Sequence, residues 1–170
     1  MTRRVPNPYP YCKEYESSRI SYEFLTDQQI RYRAYFSDYG YMFGTPALNC
    51  SFYSFDLVVV GAIRPPKFTK ADARIADTVV ACFAEIFQEV DHVVIAVYDS
   101  SDSAEGARQR KFNAWFTNAG VDYIEKVDFE LADEDYTLLS SVFLHVELPD
   151  KKAILDRYQL VLEGGNIPLD

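Results

Sequence analysis

The chain contains few of the residues that build catalytic centres. Its 170 residues include two histidines, three cysteines and seven glycines. No segment has the glycine spacing of a phosphate-binding loop, and no serine has the flanking glycines of a hydrolase nucleophile. His92 and His145 have no serine, cysteine or carboxylate at the spacing of a general-base arrangement. The sequence therefore disfavours nucleophilic catalysis and nucleotide hydrolysis, and it predicts no catalytic residues.

Positive charge and long apolar runs are also scarce. Lysine and arginine number 17 against 26 aspartates and glutamates, which gives a formal charge of -9. Phosphate backbones and anionic lipids repel such a chain, so we expect neither a nucleic acid nor a membrane partner. No apolar run approaches a membrane span, and no apolar stretch near the N-terminus is typical of a secretion signal.

The cysteines are too widely separated to suggest a metal site or a disulfide framework. Cys12, Cys50 and Cys82 show none of the close pairing that either would require. We expect them to be reduced, in a cytoplasmic protein without a cofactor or a metal.

Aromatic residues, by contrast, are abundant. Thirteen tyrosines, twelve phenylalanines and one tryptophan make up 15% of the chain. A chain of this length buries roughly two-thirds of its unfolded surface, enough for one core. We predict an extended N-terminal arm over residues 1–18, where three prolines disfavour helix, a single α+β domain over 19–165, and a loose tail over 166–170.

Hydrophobic periodicity predicts the elements of the first half. Alternation with a period of two predicts a hairpin, with Tyr22 and Phe24 on one strand and apolar residues over 30–36 on the next. The apolar run 57–60 predicts a central strand covered on both faces. A helix over 70–89, with Thr69 and Asp72 spaced as a capping box, and an apolar strand over 93–98 then predict a parallel crossover.

The second half predicts a helix, two strands and a last helix. The helix spans 104–119 and ends at Gly120. An alternating edge strand over 121–131 and a strand over 140–148 follow, and a helix begins after Asp150. The predicted fold is α+β, a mixed, largely antiparallel sheet with an N-terminal hairpin and about three helices packed on it.

Polar residues concentrate where the strand over 93–98 ends and the next helix begins. This junction contains Asp99, Ser101, Asp102, Ser103 and Arg108. Because ligands of open sheets bind at the carboxyl ends of strands, the arginine and the loop amides could receive a carboxylate or a phosphate there. The same pattern is typical of an ordinary helix cap, with Asp102 and Glu105 as a capping box. Both interpretations stay open.

A second polar stretch, residues 122–135, carries seven carboxylates against Lys126 alone. Such a run is typical of a solvated strand edge. The functional alternative is an acidic surface that docks a basic protein partner through long-range charge. The residues assigned to this docking surface are Asp128, Glu130, Asp133, Glu134 and Asp135.

Three motifs in chain order resemble a family. They are Tyr9-Pro10-Tyr11, a Tyr-x-Phe-x-Thr strand at 22–26, and the helix Arg108-Gln109-Arg110-Lys111-Phe112-Asn113-Ala114-Trp115-Phe116. Together they resemble DUF6169, a family of unknown function found mainly in Bacteroidetes. The resemblance implies a bacterial origin and brings no site residues.

Two function classes follow. The sequence favours a soluble binding or regulatory module that engages a protein partner. The alternative is an enzyme that binds a small molecule or anion at the 99–108 junction. Glu105-Gly106-Ala107-Arg108 resembles the pyrophosphate loop of acyl-CoA N-acetyltransferases but lacks its second glycine.

Overall fold

A computed structural model describes residues 4–44, 48–62 and 71–164. Within these ranges the chain forms seven strands and three α-helices. The strands are β1 (Tyr11–Glu16), β2 (Arg19–Leu25), β3 (Ile30–Asp38), β4 (Ser51–Ala62), β5 (His92–Tyr98), β6 (Ile124–Ala132) and β7 (Thr137–His145). The helices are α1 (Ala73–Ile86), α2 (Glu105–Ala119) and α3 (Lys151–Leu162).

The strands form one sheet in the order β1-β2-β3-β4-β5-β7-β6. All neighbouring strands are antiparallel except β4 and β5, which are parallel and are joined through α1. This is the α+β architecture that the sequence predicted, with the N-terminal hairpin formed by β2 and β3. No helix within the described ranges has both the length and the apolar character needed to cross a bilayer.

Aromatic rings fill both sides of the sheet. Under α1 and α2, the fully buried ring of Phe83 has its centroid between 4.9 and 5.2 Å from those of Phe36, Phe55, Phe116 and Phe143. On the opposite side, where α3 packs, the rings of Phe43 and Phe52 stack at 3.9 Å and Tyr158 lies beside Phe43. Residues alternate between the two sides along each strand, so β5 contributes apolar side chains to both layers.

The apolar run in β4 corrects one prediction. Val58, Val59 and Val60 are 38%, 57% and 42% exposed, so the strand is not covered on both faces along its whole length. The reason is the unequal length of neighbouring strands: β5 pairs only with Ser51–Phe55. The second half of β4 therefore has β3 as its single partner among the described strands.

The N-terminal segment joins the sheet. Residues 11–16 of the predicted arm form β1, which pairs antiparallel with β2. Upstream, Arg4 and the backbone N–H of Asn7 bind the carboxylate of Asp77 on α1, and Tyr9 is buried against the helix. The division into arm and domain stays a prediction, and the predicted tail 166–170 lies outside the described residues.

The helices and the last strand differ from their predicted bounds by a few residues. Helix α1 is shorter than the predicted 70–89, and the Asp72 carboxylate caps it by accepting from the N–H of Arg74. Thr69, the other half of the predicted cap, lies outside the described residues. Strand β7 starts and ends three residues earlier than predicted, and α3 follows Asp150 as expected.

Candidate functional site

The 99–108 junction folds into a closed set of contacts. The Asp99 carboxylate accepts hydrogen bonds from the N–H and the hydroxyl of Ser101, at 2.9 and 2.8 Å. Arg108 reaches back from α2 and donates to both carboxylate oxygens of Asp102, at 2.9 and 2.6 Å. It also donates to the backbone carbonyl of Asp99 at 2.6 Å. The structure thus brings together the charged residues that the sequence had selected.

The predicted capping box at the start of α2 is wrong. Ser103 has a left-handed backbone with a φ of 56°, which separates Asp102 from the helix. The helix therefore begins at Glu105, after Ala104, and no side chain caps its first turn. Asp102 instead accepts from the N–H of Ala104 at 3.1 Å. One carboxylate oxygen of Glu105 is buried without a hydrogen-bond partner in the structure.

Asp102 and Arg108 neutralise each other within the junction, whereas hydrogen bonds from Ser101 hold the Asp99 carboxylate. Hydrogen bonds from the N–H and hydroxyl of Ser101 lower the pKa of Asp99. The bond from Arg108 lowers the pKa of Asp102, and the Asp102 carboxylate raises the pKa of Arg108. An incoming anion would have to displace a bidentate carboxylate from the guanidinium. Ligand binding by Asp99, Ser101, Asp102, Ser103 and Arg108 stays a prediction.

The acidic stretch lies on a free edge of the sheet. Among the described strands, β6 pairs with β7 alone. The backbone N–H of Val146 donates to the carbonyl of Tyr123, and the N–H of Asp133 donates to the carbonyl of Tyr136, each at 2.9 Å. Tyr123 and Asp133, which flank the two ends of β6, are therefore both in hydrogen-bonded pairs. Because hydrogen-bonded and non-hydrogen-bonded pairs alternate along an antiparallel ladder, the odd-numbered residues of β6 direct their N–H and C=O groups towards β7. The even-numbered residues direct theirs to the open edge.

Asp128 differs from the other carboxylates of the docking surface because other side chains hold it. The Ser141 hydroxyl donates to it at 2.6 Å, and Lys126 forms an ion pair with it. Burial would raise the pKa of Asp128, but the bonds from Lys126 and Ser141 outweigh burial and lower it. The Tyr98 hydroxyl lies 2.8 Å from that of the fully buried Ser141. Asp128 is thus the outer end of a polar chain that reaches into the core.

The remaining four carboxylates face solvent. Glu130, Asp133, Glu134 and Asp135 are exposed, and Asp133 accepts only from the N–H of Glu134, at 2.7 Å. No described cation forms an ion pair with any of the four, and the nearby Lys126 is occupied by Asp128. This end of the edge therefore carries uncompensated negative charge.

A groove of about 980 Å³ lies between α1 and α2, away from the junction residues and from β6, and is bounded by the turn between β2 and β3. Tyr32, Ile75 and the half-buried Trp115 provide apolar walls, and Lys111 stands on its rim. The sequence pattern placed Trp115 only among the apolar positions of α2. A lysine four residues before it, on the same helix face, was the available signal for an exposed edge.

A family model described as "Family of unknown function (DUF6169)" matches residues 71–160, from the start of α1 into α3. The chain belongs to this family. No curated protein and no solved structure matches the chain.

Every residue assigned to a site from the sequence lies within the DUF6169 segment, as do Lys111 and Trp115. Of the three motifs that carried the resemblance, only the helix at 108–116 falls inside it. The first two lie in β1, β2 and the segment before them.

A further cavity, of about 680 Å³, lies between the segment before β4, the turn that joins α1 to β5, and the start of α3. Cys50, Asp91 and Asp150 line it, and burial together with these two carboxylates raises the pKa of the Cys50 thiol. The thiol is therefore poorly suited to act as a nucleophile. No group of three or more potential ligands is placed to hold a metal ion among the residues described for this DUF6169 member.

Proposed function

We propose that the protein is a binding module that engages a basic, extended segment of a protein partner along β6. The observation that carries the proposal is the coincidence of a strand edge that no described strand covers with four carboxylates that form no ion pair among residues 4–44, 48–62 and 71–164. Either feature alone is common on protein surfaces.

Strand addition supplies the attachment. The backbone groups of Lys126, Asp128 and Glu130 point to the open edge, where an added strand would pair with them. Residues directly opposite each other on paired strands approach within about 5 Å, so a basic side chain of the partner would meet Glu130. The tip formed by Asp133, Glu134 and Asp135 extends the acidic surface beyond the strand.

Electrostatics supplies the selectivity. The net charge of -9 attracts a cationic segment and repels anionic ones, and the attraction weakens as salt screens exposed charges. All three cysteines are free thiols, which suits a cytoplasmic setting for such a module.

The alternative, an anion-binding enzyme at the 99–108 junction, has less support. Arg108 already binds a carboxylate with two donors and a backbone carbonyl with a further bond. None of the five junction residues lines the groove between α1 and α2 or the cavity beside Cys50.

The test uses a fluorescent peptide of alternating lysine and valine and follows its anisotropy in low and moderate salt. We expect saturable binding that weakens about tenfold or more as salt rises, and no binding of a glutamate-for-lysine peptide. A peptide with the same charge but a central proline should bind more weakly, because proline removes a ladder donor.

A charge-reversal pair locates the site. Glu130→Lys combined with Glu134→Lys should abolish binding. Glu14→Lys combined with Glu89→Lys makes the same change of net charge, with one substitution on β1, the other outer strand of the sheet, and should retain most of the affinity. If both double variants lost the same amount of peptide affinity, binding would depend on net charge alone, and the proposal would be overturned.

A further inference from the structure

The groove between α1 and α2 has the dimensions and the walls of a small-molecule site. Ligand pockets have volumes of roughly 300–1,000 Å³ and are mainly apolar with a few polar groups. At about 980 Å³, with Tyr32, Ile75 and Trp115 in its walls, this groove fits that description. We propose that it binds an arylalkanoic acid, with Trp115 against the ring and Lys111 beside the carboxylate.

The acidic residues of the groove are already matched. Asp77 accepts from Arg4 at 2.5 Å and from the N–H of Asn7 at 2.7 Å. Asp72 accepts from the Tyr9 hydroxyl at 2.6 Å and from the N–H that it caps on α1. Both carboxylates therefore have partners before any ligand arrives.

Lys111 is a charged residue of the groove that has no ion-pair partner among the described residues. Its side chain is exposed, and it forms no ion pair with any described carboxylate. It contacts the Trp115 ring, whose centroid lies 5.2 Å from the ammonium nitrogen. A carboxylate at this point would gain a charged partner without breaking an existing ion pair, whereas a cationic group would meet repulsion.

Trp115 provides the surface for the ring. It packs on Phe112 with a centroid distance of 4.9 Å and is only partly buried, so part of its indole faces the groove. Aromatic rings pair favourably in offset or edge-on arrangements with such a surface. The proposal is independent of peptide binding at β6, because none of the acidic docking residues lines this groove.

The chain contains a single tryptophan, so its fluorescence directly monitors this site. Phenylbutyrate, phenylbutanol and phenylbutylamine share one aryl chain and differ in the charge of the end group. Titration of the full chain should rank them acid, alcohol, amine, with the acid favoured over the alcohol by about three- to fivefold, as for an exposed ion pair.

Single substitutions separate the contribution of the lysine charge from that of the groove's shape. Lys111→Met should remove the preference for the acid and leave the alcohol unaffected, with Lys111→Gln as a second neutral replacement. Lys152→Met, at an exposed lysine of α3, is the matched control and should change nothing. Ala114→Phe, at an exposed position that lines the groove, should block all three compounds.

The proposal fails if none of the compounds changes the Trp115 emission at millimolar concentration. It also fails if acid and alcohol bind equally, if the amine binds best, or if Ala114→Phe leaves the titrations unchanged. Binding of the lysine-valine peptide, measured in parallel, shows independently whether the β6 surface functions.

Discussion

The 99–108 junction and the acidic end of β6 lie at the same end of the sheet but differ in how their charge is balanced. Leu139 of β7 pairs with Tyr98 on one side and with Glu130 on the other, which places the two regions at the same end of the two strands that flank β7. At the junction, Asp102 meets an arginine from the following helix. At the edge, Lys126 pairs with Asp128, and the other four carboxylates of the docking surface form no ion pair with a described residue.

This difference shows that the density of charged residues along a sequence is a poor guide to the charge that a surface presents. Asp102 and Asp133 both lie in short acidic stretches of the sequence, yet of the two only Asp102 forms an ion pair with a described residue. The charge that a surface presents depends on whether the fold places an oppositely charged side chain beside each carboxylate.

The largest expected effect concerns the one carboxylate of the edge that is anchored in the core. Ser141→Ala removes the hydroxyl that joins Asp128 to Tyr98, leaving polar groups without their partner. Loss of such a buried hydrogen bond costs about 1–3 kcal/mol. Urea unfolding should show this as a lower midpoint.

Ser100→Ala is the control for this measurement. Ser100 is exposed at the junction, where its backbone carbonyl accepts a hydrogen bond that the substitution leaves in place. We expect an unchanged midpoint. Equal stabilities of the Ser141→Ala variant and the parent chain would show that the polar chain contributes nothing.

A smaller effect should appear in the pH dependence of stability. The folded-state pKa of Asp128 lies below its ordinary value of 3.8, so its ionised form stabilises the fold above that pH. This contribution is lost as pH falls from 3.8 through the lower folded-state pKa.

The measurement compares the free energy of unfolding of the parent chain with that of the Asp128→Asn variant. The variant should be less stable by a constant amount near neutral pH, and this difference should shrink in acid. Glu130→Gln should track the parent chain throughout. A deficit for Asp128→Asn that grows in acid would mean that folding raises the pKa of Asp128 instead of lowering it.

The smallest effect is expected at the junction. Arg108→Ala breaks an exposed ion pair, so the unfolding midpoint should fall by less than for Ser141→Ala, and the difference should disappear in high salt. Combining Arg108→Ala with Asp102→Asn should cost no more than Arg108→Ala alone, because the two side chains act as a pair. Additive losses would show that each has a separate role.

Much of the fold was predictable because its signals are local. Alternation gave the β2–β3 hairpin, and strand, helix and strand lengths gave the parallel β4–β5 pair. Gly120 ends α2 in the left-handed conformation expected of a terminating glycine, with a φ of 60°. The alternation of apolar and polar residues over 121–131 correctly indicated that β6 is an edge strand of the described sheet.

The features that escaped prediction depend on partners distant in sequence. Exposure of Val58–Val60 follows from where β5 stops pairing, which the β4 sequence does not encode. The lowered pKa of Asp128 and its bond to the core follow from a strand register that places it opposite Ser141. The start of α2 depends on a left-handed serine, a conformation that residue type alone rarely indicates.

The aromatic contacts of Phe83 have a practical consequence for expression. Two of the rings around it, Phe36 and Phe55, come from β3 and β4, upstream of residue 71 where the family match begins. We expect a fragment cut at that boundary to leave the Phe83 ring open to water on the side of β3 and β4, and to aggregate. The segment that the family model matches and the segment that encloses Phe83 are therefore different lengths of chain.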